Sequence, residues 1–252
     1  MRQTLIAAHR GGAHLWPENS LLAFRKTAGL TVDMVEFDVH RTRDGVLVVH
    51  HDATIERMTD GSGAISDMTF DELSRFVIKG TGGERVPTLA EVLEVFAPSP
   101  VDLRLEIKSG RDLQAYDGME EQIARTLLER NLLGRTLLTS FLLPCLTRFR
   151  AAAASLPNRP LDLMWLVSPM VLACSGLEGV LATAGKNDTK ALGFHVDDLS
   201  EDIVATLRSV EVIPHAWAAH TRESARRMFA LGVASFTTDR PDLALAARSD
   251  AE

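Results

Sequence analysis

The sequence predicts an α/β protein, a TIM (β/α)8 barrel with an insertion after the second strand, and three observations point there. Short apolar runs alternate with longer amphipathic stretches from one end of the chain to the other. There are eight such runs, and the 252 residues match the roughly 250 of one barrel of this kind. Strand followed by helix, repeated, implies a parallel sheet, and eight repeats imply that the sheet closes on itself. The repetition carries the argument, because periodicity alone does not separate a short buried strand from a piece of buried helix.

The strand candidates are residues 5–9, 34–39, 103–107, 136–140, 161–167, 191–196, 212–218 and 234–238. Helix-like stretches follow most of them, at 20–28, 119–130, 142–154, 201–207, 223–231 and 242–247. The connection from Val39 to Leu103 is far longer than an ordinary βα loop. It opens as a hairpin, Val39-His40-Arg41-Thr42, with Arg43-Asp44-Gly45 as the turn and Val46-Leu47-Val48-Val49 as the return. A short helix is expected near 70–77, and Thr88, after Pro87, starts another that runs to Phe96. No linker, low-complexity tract or second core is visible, so 1–252 reads as one domain with an insertion at about 52–87. Such an excursion sits at the C-terminal face of the barrel, where folds of this kind hold the active site.

Composition narrows the function. The chain is 46% hydrophobic with a formal net charge of −7. It lacks the basic footprint that long nucleic acid demands, but a few local cations suffice for a small phosphate-containing molecule. Cys145 and Cys174 form neither a metal spacing nor a disulfide framework and read as reduced thiols. The opening run, residues 1–9, is too short and too soon polar for a signal peptide. No apolar run approaches the ~20 residues of a membrane span. A cytoplasmic protein without a membrane anchor is expected, and a homo-oligomer is compatible with the sequence.

Four clusters carry chemistry. His9-Arg10-Gly11-Gly12 ends the first strand, where histidine can move a proton and arginine can grip phosphate oxygens. The alternative is a strand end capped by exposed polar residues. In Glu36-Phe37-Asp38 the two carboxylates share one strand face. Such a pair is costly unless a proton or cation separates the charges, and a hard divalent cation does so. In Leu105-Glu106-Ile107-Lys108, Glu106 is a candidate third carboxylate and Lys108 a candidate phosphate contact; the alternative is a structural Glu–Lys pair. His50-His51-Asp52 closes the hairpin's return strand, and because neighbours on a strand face opposite ways, one histidine of the two points at the site. The combination suits phosphodiester cleavage, with cations on the phosphate and one histidine each for the proton taken and the proton given.

The runs His9-Arg10-Gly11, Pro17-Glu18-Asn19-Ser20, Glu36-Phe37-Asp38-Val39, Thr42-Arg43-Asp44-Gly45 and Val48-Val49-His50-His51-Asp52 together resemble the glycerophosphodiester phosphodiesterase family. Arg57-Met58-Thr59-Asp60-Gly61-Ser62-Gly63, Val86-Pro87-Thr88-Leu89, Glu106-Ile107-Lys108 and Thr238-Asp239-Arg240-Pro241 extend the match. The second half of the chain matches mainly in strand rhythm, anchored by Ser140-Phe141 and Trp217.

The resemblance implies a TIM barrel with His9 and His51 as the acid–base pair. It implies Glu36, Asp38 and Glu106 as ligands of one divalent cation, Mg²⁺ or Ca²⁺. It places Arg10 and Lys108 on phosphate, puts Glu18 in contact with metal, substrate or a histidine, and sets Trp217 at the substrate. Two departures stand out: Trp217-Ala218-Ala219-His220, where many relatives have a Trp-Thr-Val-Asn-like strand, and Ser235-Phe236-Thr237. Both are expected to lie away from the metal and histidine set and to bear on substrate choice.

The implied activity is hydrolysis of a small glycerophosphodiester to glycerol 3-phosphate and an alcohol. One alternative keeps the chemistry and changes the substrate, a lysophospholipase D acting on lysolipids. Another is a barrel that binds phosphodiesters without turning them over, against which the histidine pair argues. Met68, Phe70, Leu73, Phe76, Val77 and Ile78 in the insertion read as the buried face of a short helix, which favours the small, soluble substrate.

Overall fold

The computed structural model describes residues 3–157, 160 and 162–250. Leu161, the first residue of one predicted strand, and residues 1–2 of the opening run lie outside them. The strands are β1 (Leu5–Ala8), β2 (Met34–Arg41), β3 (Leu47–Val49), β4 (Asp102–Ile107), β5 (Thr136–Ser140), β6 (Asp162–Val167), β7 (Ala191–His195), β8 (Ile213–Trp217) and β9 (Ser235–Thr238). All but β3 are parallel, in the order β1-β9-β8-β7-β6-β5-β4-β2. The pairs Ala7↔Met34 and Ala8↔Val35 close the ring between β1 and β2. The predicted barrel is present, and so is the hairpin: β3 runs antiparallel to β2, with Val39 opposite Val49.

Alternation along each strand sorts the side chains. Val35, Phe37 and Val39 of β2 face outward into the main core, against α1 (Leu21–Thr27) and α3 (Leu89–Phe96). The Phe24 ring meets Phe37 and Phe96 edge-on, each pair at 5.9 Å. All three are fully buried, each contributing roughly 1.5–3 kcal/mol. Inside the barrel, Ala7, Met34, Leu137, Met164, Leu166 and Ala191 form a second, smaller cluster. Local signals place the helices. The Ser20 hydroxyl accepts the Ala23 N–H to start α1, and Thr88 with Glu91 forms a capping box on α3.

The insertion departs from expectation in two ways. Its only α-helix, α2, is the four-residue Phe70–Leu73, preceded by a 3-10 turn at Ile65–Asp67. It also has a hydrophobic cluster of its own, with Val48, Ile55, Ile65, Leu73, Ile78 and Val86 buried, where the sequence showed no second core. Val48 lies on β3 and Leu73 on α2, but the others are dispersed over irregular backbone, so no single helical or strand period announces the cluster.

The remaining helices are α4 (Met119–Glu129), α5 (Leu143–Ala153), α6 (Pro169–Lys186), α7 (Glu201–Ser209), α8 (Arg222–Leu231) and α9 (Pro241–Ser249). The sequence reading contains no helix at α6. That segment is apolar without a clear face, and it is interrupted at Gly176, whose φ is 61°. Among the described residues no helix is long and apolar enough to cross a membrane.

Candidate active site

The turn after β1 sets the site's first wall. Arg10, at φ 51° and ψ 31°, is left-handed, as are Gly11 and Gly12 after it. For a non-glycine residue this costs about 1–2 kcal/mol. At Gly11 a Cβ would also come to 3.0 Å from Ala23 Cβ. The turn aims the Arg10 N–H at Glu36 Oε2, 3.0 Å away, and brings His9 Nε2 to 3.8 Å from the same oxygen.

Glu36 and Asp38 on β2 and Glu106 on β4 converge, with one oxygen of each within 4.8 Å of the others and all three side chains buried. Burial, and Asp38 next to it, push the Glu36 carboxyl well above the usual range. Burial also works against a charged Asp38, but Lys108, His51 and Arg10 outweigh it and hold that carboxyl low. Asn19 Nδ2 donates to Asp38 Oδ2 at 2.9 Å, while Asp38 Oδ1 is buried without a hydrogen bond. A carboxylate oxygen that takes no hydrogen bond, among three convergent carboxylates, fits a hard cation with oxygen ligands. Lys108 Nζ stands 2.8 Å from Glu106 and 3.3 Å from Asp38 Oδ1. Lys108 thus forms the Glu–Lys pair of the structural reading, within the metal-ligand candidates themselves.

The two histidines face the site in the same manner. His9 Nδ1 is 2.5 Å from Asp239 Oδ1, and His51 Nδ1 is 2.6 Å from Asp52 Oδ1. With Nδ1–H donated to a carboxylate, Nε2 is left in each ring to exchange protons. Burial opposes a charge on His9, yet Glu36 and Asp239 raise its pKa overall. His50 turns away, buried, with Nδ1 on the Asp52 carbonyl.

These groups line a cavity of about 250 Å³. His9, Arg10, Glu36, His51 and Glu106 form one side, and Phe141 with Trp217 lies opposite. The Trp217 ring packs edge-on against Phe141 at 5.8 Å and His195 at 4.6 Å. A larger cavity, about 440 Å³, opens at the N-terminal ends of the strands near Asp162, Lys190 and Ile213. It is remote from the carboxylate and histidine clusters.

The Glu18 carboxylate is held by Arg10 at 3.0 Å and by Arg57 at 2.7 Å, and so braces two arginines. One expectation is corrected. His220 does reach the histidine set. The Asp239 N–H donates to His220 Nδ1 at 3.0 Å, and the His220 ring lies 5.9 Å from His9 and 5.7 Å from His14. Because that nitrogen accepts a backbone proton, its 3.3 Å approach to Asp239 Oδ2 is not an ion pair. Burial keeps His220 on the neutral side.

The sequence reading assigned no role to Asp239, Arg57 or Arg104. Asp239 and Arg57 stand inside quoted motifs, whereas Arg104 needed only the strand alternation, since it shares a face with Glu106.

Comparison with known proteins bears on the family and the fold. A family model described as Glycerophosphoryl diester phosphodiesterase family matches residues 9–243. A glycerophosphodiester phosphodiesterase of Caldanaerobacter subterraneus is 31% identical over 95% of this chain and 96% of its own. A crystal structure of a candidate glycerophosphoryl diester phosphodiesterase from Agrobacterium tumefaciens superposes with a TM-score of 0.94 at 36% identity, covering 99% of both chains. An Oleispira antarctica phosphodiesterase, solved with the product sn-glycerol-3-phosphate, shares the fold at a TM-score of 0.80 and 24% identity, over 98% of this chain and 97% of that one. The chain belongs to the glycerophosphoryl diester phosphodiesterase family.

Proposed function

We propose that this chain hydrolyses small glycerophosphodiesters to glycerol 3-phosphate and an alcohol, with His9 and His51 as the acid–base pair. The observation that carries the reading is one cavity lined by both histidines, each backed by an aspartate, beside three convergent carboxylates. Glu36, Asp38 and Glu106 would hold one divalent cation, Mg²⁺ or Ca²⁺. When bound, it supplies positive charge to the phosphate and to its transition state. Arg10, braced by Glu18, and Lys108 add fixed cations near the phosphate. One histidine takes a proton at Nε2 from the attacking hydroxyl, and the other gives a proton from Nε2 to the leaving alkoxide. Residues 1–252 act as one catalytic unit in this reading, with the insertion at its mouth.

A second reading, lysophospholipase D action, draws on one observation. Leu113, Phe141 and Met170 are exposed apolar side chains in the segments that follow β4, β5 and β6. They lie at the face of the barrel that bears the site, and not in the insertion. The small cavity favours the soluble substrate. An assay of glycerophosphocholine hydrolysis with and without EDTA tests the main reading: chelator-sensitive release of glycerol 3-phosphate supports it, and its absence at every added metal overturns it.

A further inference from the structure

Arg104 is left unused by this chemistry. It stands on β4 in register with Glu36, two residues before Glu106, and lines the cavity with them. Its side chain is among the largest that are fully buried, at 1% exposure. A guanidinium so deep ordinarily has a carboxylate partner, and its several N–H groups are ordinarily paired. Here, among the described residues, no carboxylate comes within the 4.0 Å of an ion pair. The one hydrogen bond runs from Nη1 to the Ala216 carbonyl across the barrel, at 3.3 Å. Lys108, not Arg104, contacts Glu106. As mere filling, an unpaired guanidinium is worse than an apolar side chain of the same volume. The side chain lines the cavity.

We propose that Arg104 reads the glycerol half of the substrate, donating hydrogen bonds to the glycerol hydroxyl oxygens at the cavity floor. The inference rests on the diesterase reading. The phosphate must stay beside His9, His51 and the three carboxylates, so the group that reaches Arg104 is one of the two ester substituents. A fixed cation at the floor rejects the ammonium of choline or ethanolamine and accepts oxygen lone pairs. The glycerol unit therefore goes inward, and the alcohol group points out past Phe141, which is 39% exposed. A site of this kind is strict about glycerol and tolerant of the alcohol.

The test compares glycerophosphocholine with propylphosphocholine, the same diester without glycerol hydroxyls, in the wild type, Arg104→Met and Arg104→Lys. The wild type should prefer the glycerol diester in kcat/KM. Arg104→Met should reduce that preference by about tenfold to a hundredfold, mainly through KM, with no drop in thermal midpoint. Arg104→Lys should keep part of it. Equal losses on both diesters, or none on either, overturn the proposal. Calorimetric binding of glycerol 3-phosphate and of inorganic phosphate supplies a readout without turnover. Weaker glycerol 3-phosphate binding by the Met variant, with phosphate binding unchanged, supports the role, and unchanged binding of both overturns it. A wild type that cleaves neither diester overturns the diesterase reading, and the calorimetry then still decides Arg104. If Arg104→Met does not fold, Arg104→Lys carries the same comparison.

Discussion

Nδ1 of His9 and Oδ1 of Asp239 stand 2.5 Å apart, although 230 residues separate them in the chain. The contact fixes the His9 tautomer with its proton on Nδ1, leaving Nε2 on the side of Glu36. An Asp239→Asn side chain keeps the shape but offers an N–H where the carboxylate accepted one. It should favour the other tautomer and lower kcat by about 10²–10⁴, with KM little changed. Steady-state kinetics check this, and a loss confined to KM would show that Asp239 does not act through His9.

His9→Ala and His51→Ala should each lower kcat by at least ~10² while glycerol 3-phosphate still binds, because proton transfer is what they remove. His50→Ala and His14→Ala should matter much less. His50 is turned into the protein, and His14 is exposed and meets the site only indirectly, through Asp239 and the His220 ring. Equal losses at His50 and His51 would mean that the doublet is assigned the wrong way round.

Replacing Glu36→Gln and Asp38→Asn together should abolish both Mg²⁺ or Ca²⁺ binding, read by calorimetry, and EDTA-sensitive activity. The paired variant removes two of three charged ligands from a site that needs oxygen donors of high charge. Full activity in the double variant, indifferent to chelator, would rule out the assigned metal site.

Stability should fall with acid well above the carboxylate range. His215 is buried against Ser235, and burial, aided by Arg104, pushes its pKa down to about 3. The unfolded chain protonates this group near 6.5, so between pH 6.5 and 3 the unfolded state binds a proton that the native state refuses. Stability from this group is complete above 6.5 and declines by about 1.4 kcal/mol per pH unit as pH falls through that window. Thermal midpoints measured from pH 7 to 4 should fall less steeply for His215→Asn than for the wild type. Parallel slopes would remove His215 from the account.

Glycerophosphocholine should have a higher kcat/KM than lysophosphatidylcholine. A cavity of about 250 Å³ accepts a glycerophosphate unit but not an acyl chain. Each buried CH₂ is worth about 0.8 kcal/mol, so a lysolipid preference would require its chain to lie along Leu113, Phe141 and Met170. That preference, if measured, would move the substrate assignment to lysolipids.

Much of the site was legible because it is built on alternation. Glu36, Asp38 and Glu106 are read from spacing and the hairpin from its turn residues; strand parity allows one histidine of the doublet, and the family resemblance picks His51. The same alternation extends to Arg104, but a single inward arginine looks like any strand residue until the barrel surrounds it. Asp239 and His220 are of another kind. Their place comes from closure of the ring, which sets β9 between β1 and β8 and so brings both residues to His9, and no local spacing encodes that adjacency. Glu18 illustrates the converse: its motif is distinctive, but what it binds depends on Arg57, 39 residues away. Helix α6 escaped because its apolar residues do not keep to one side.

The seam where β1 meets both β9 and β2 gives the molecule a built-in test of completeness. A chain that ends before residue 235 already has the three acidic side chains and both histidines, but lacks the strand that shuts the ring and the carboxylate that holds His9 in register. Catalysis therefore becomes competent only after β9 and Asp239 are docked. During refolding, recovered turnover should therefore track the docking of β9 on β1.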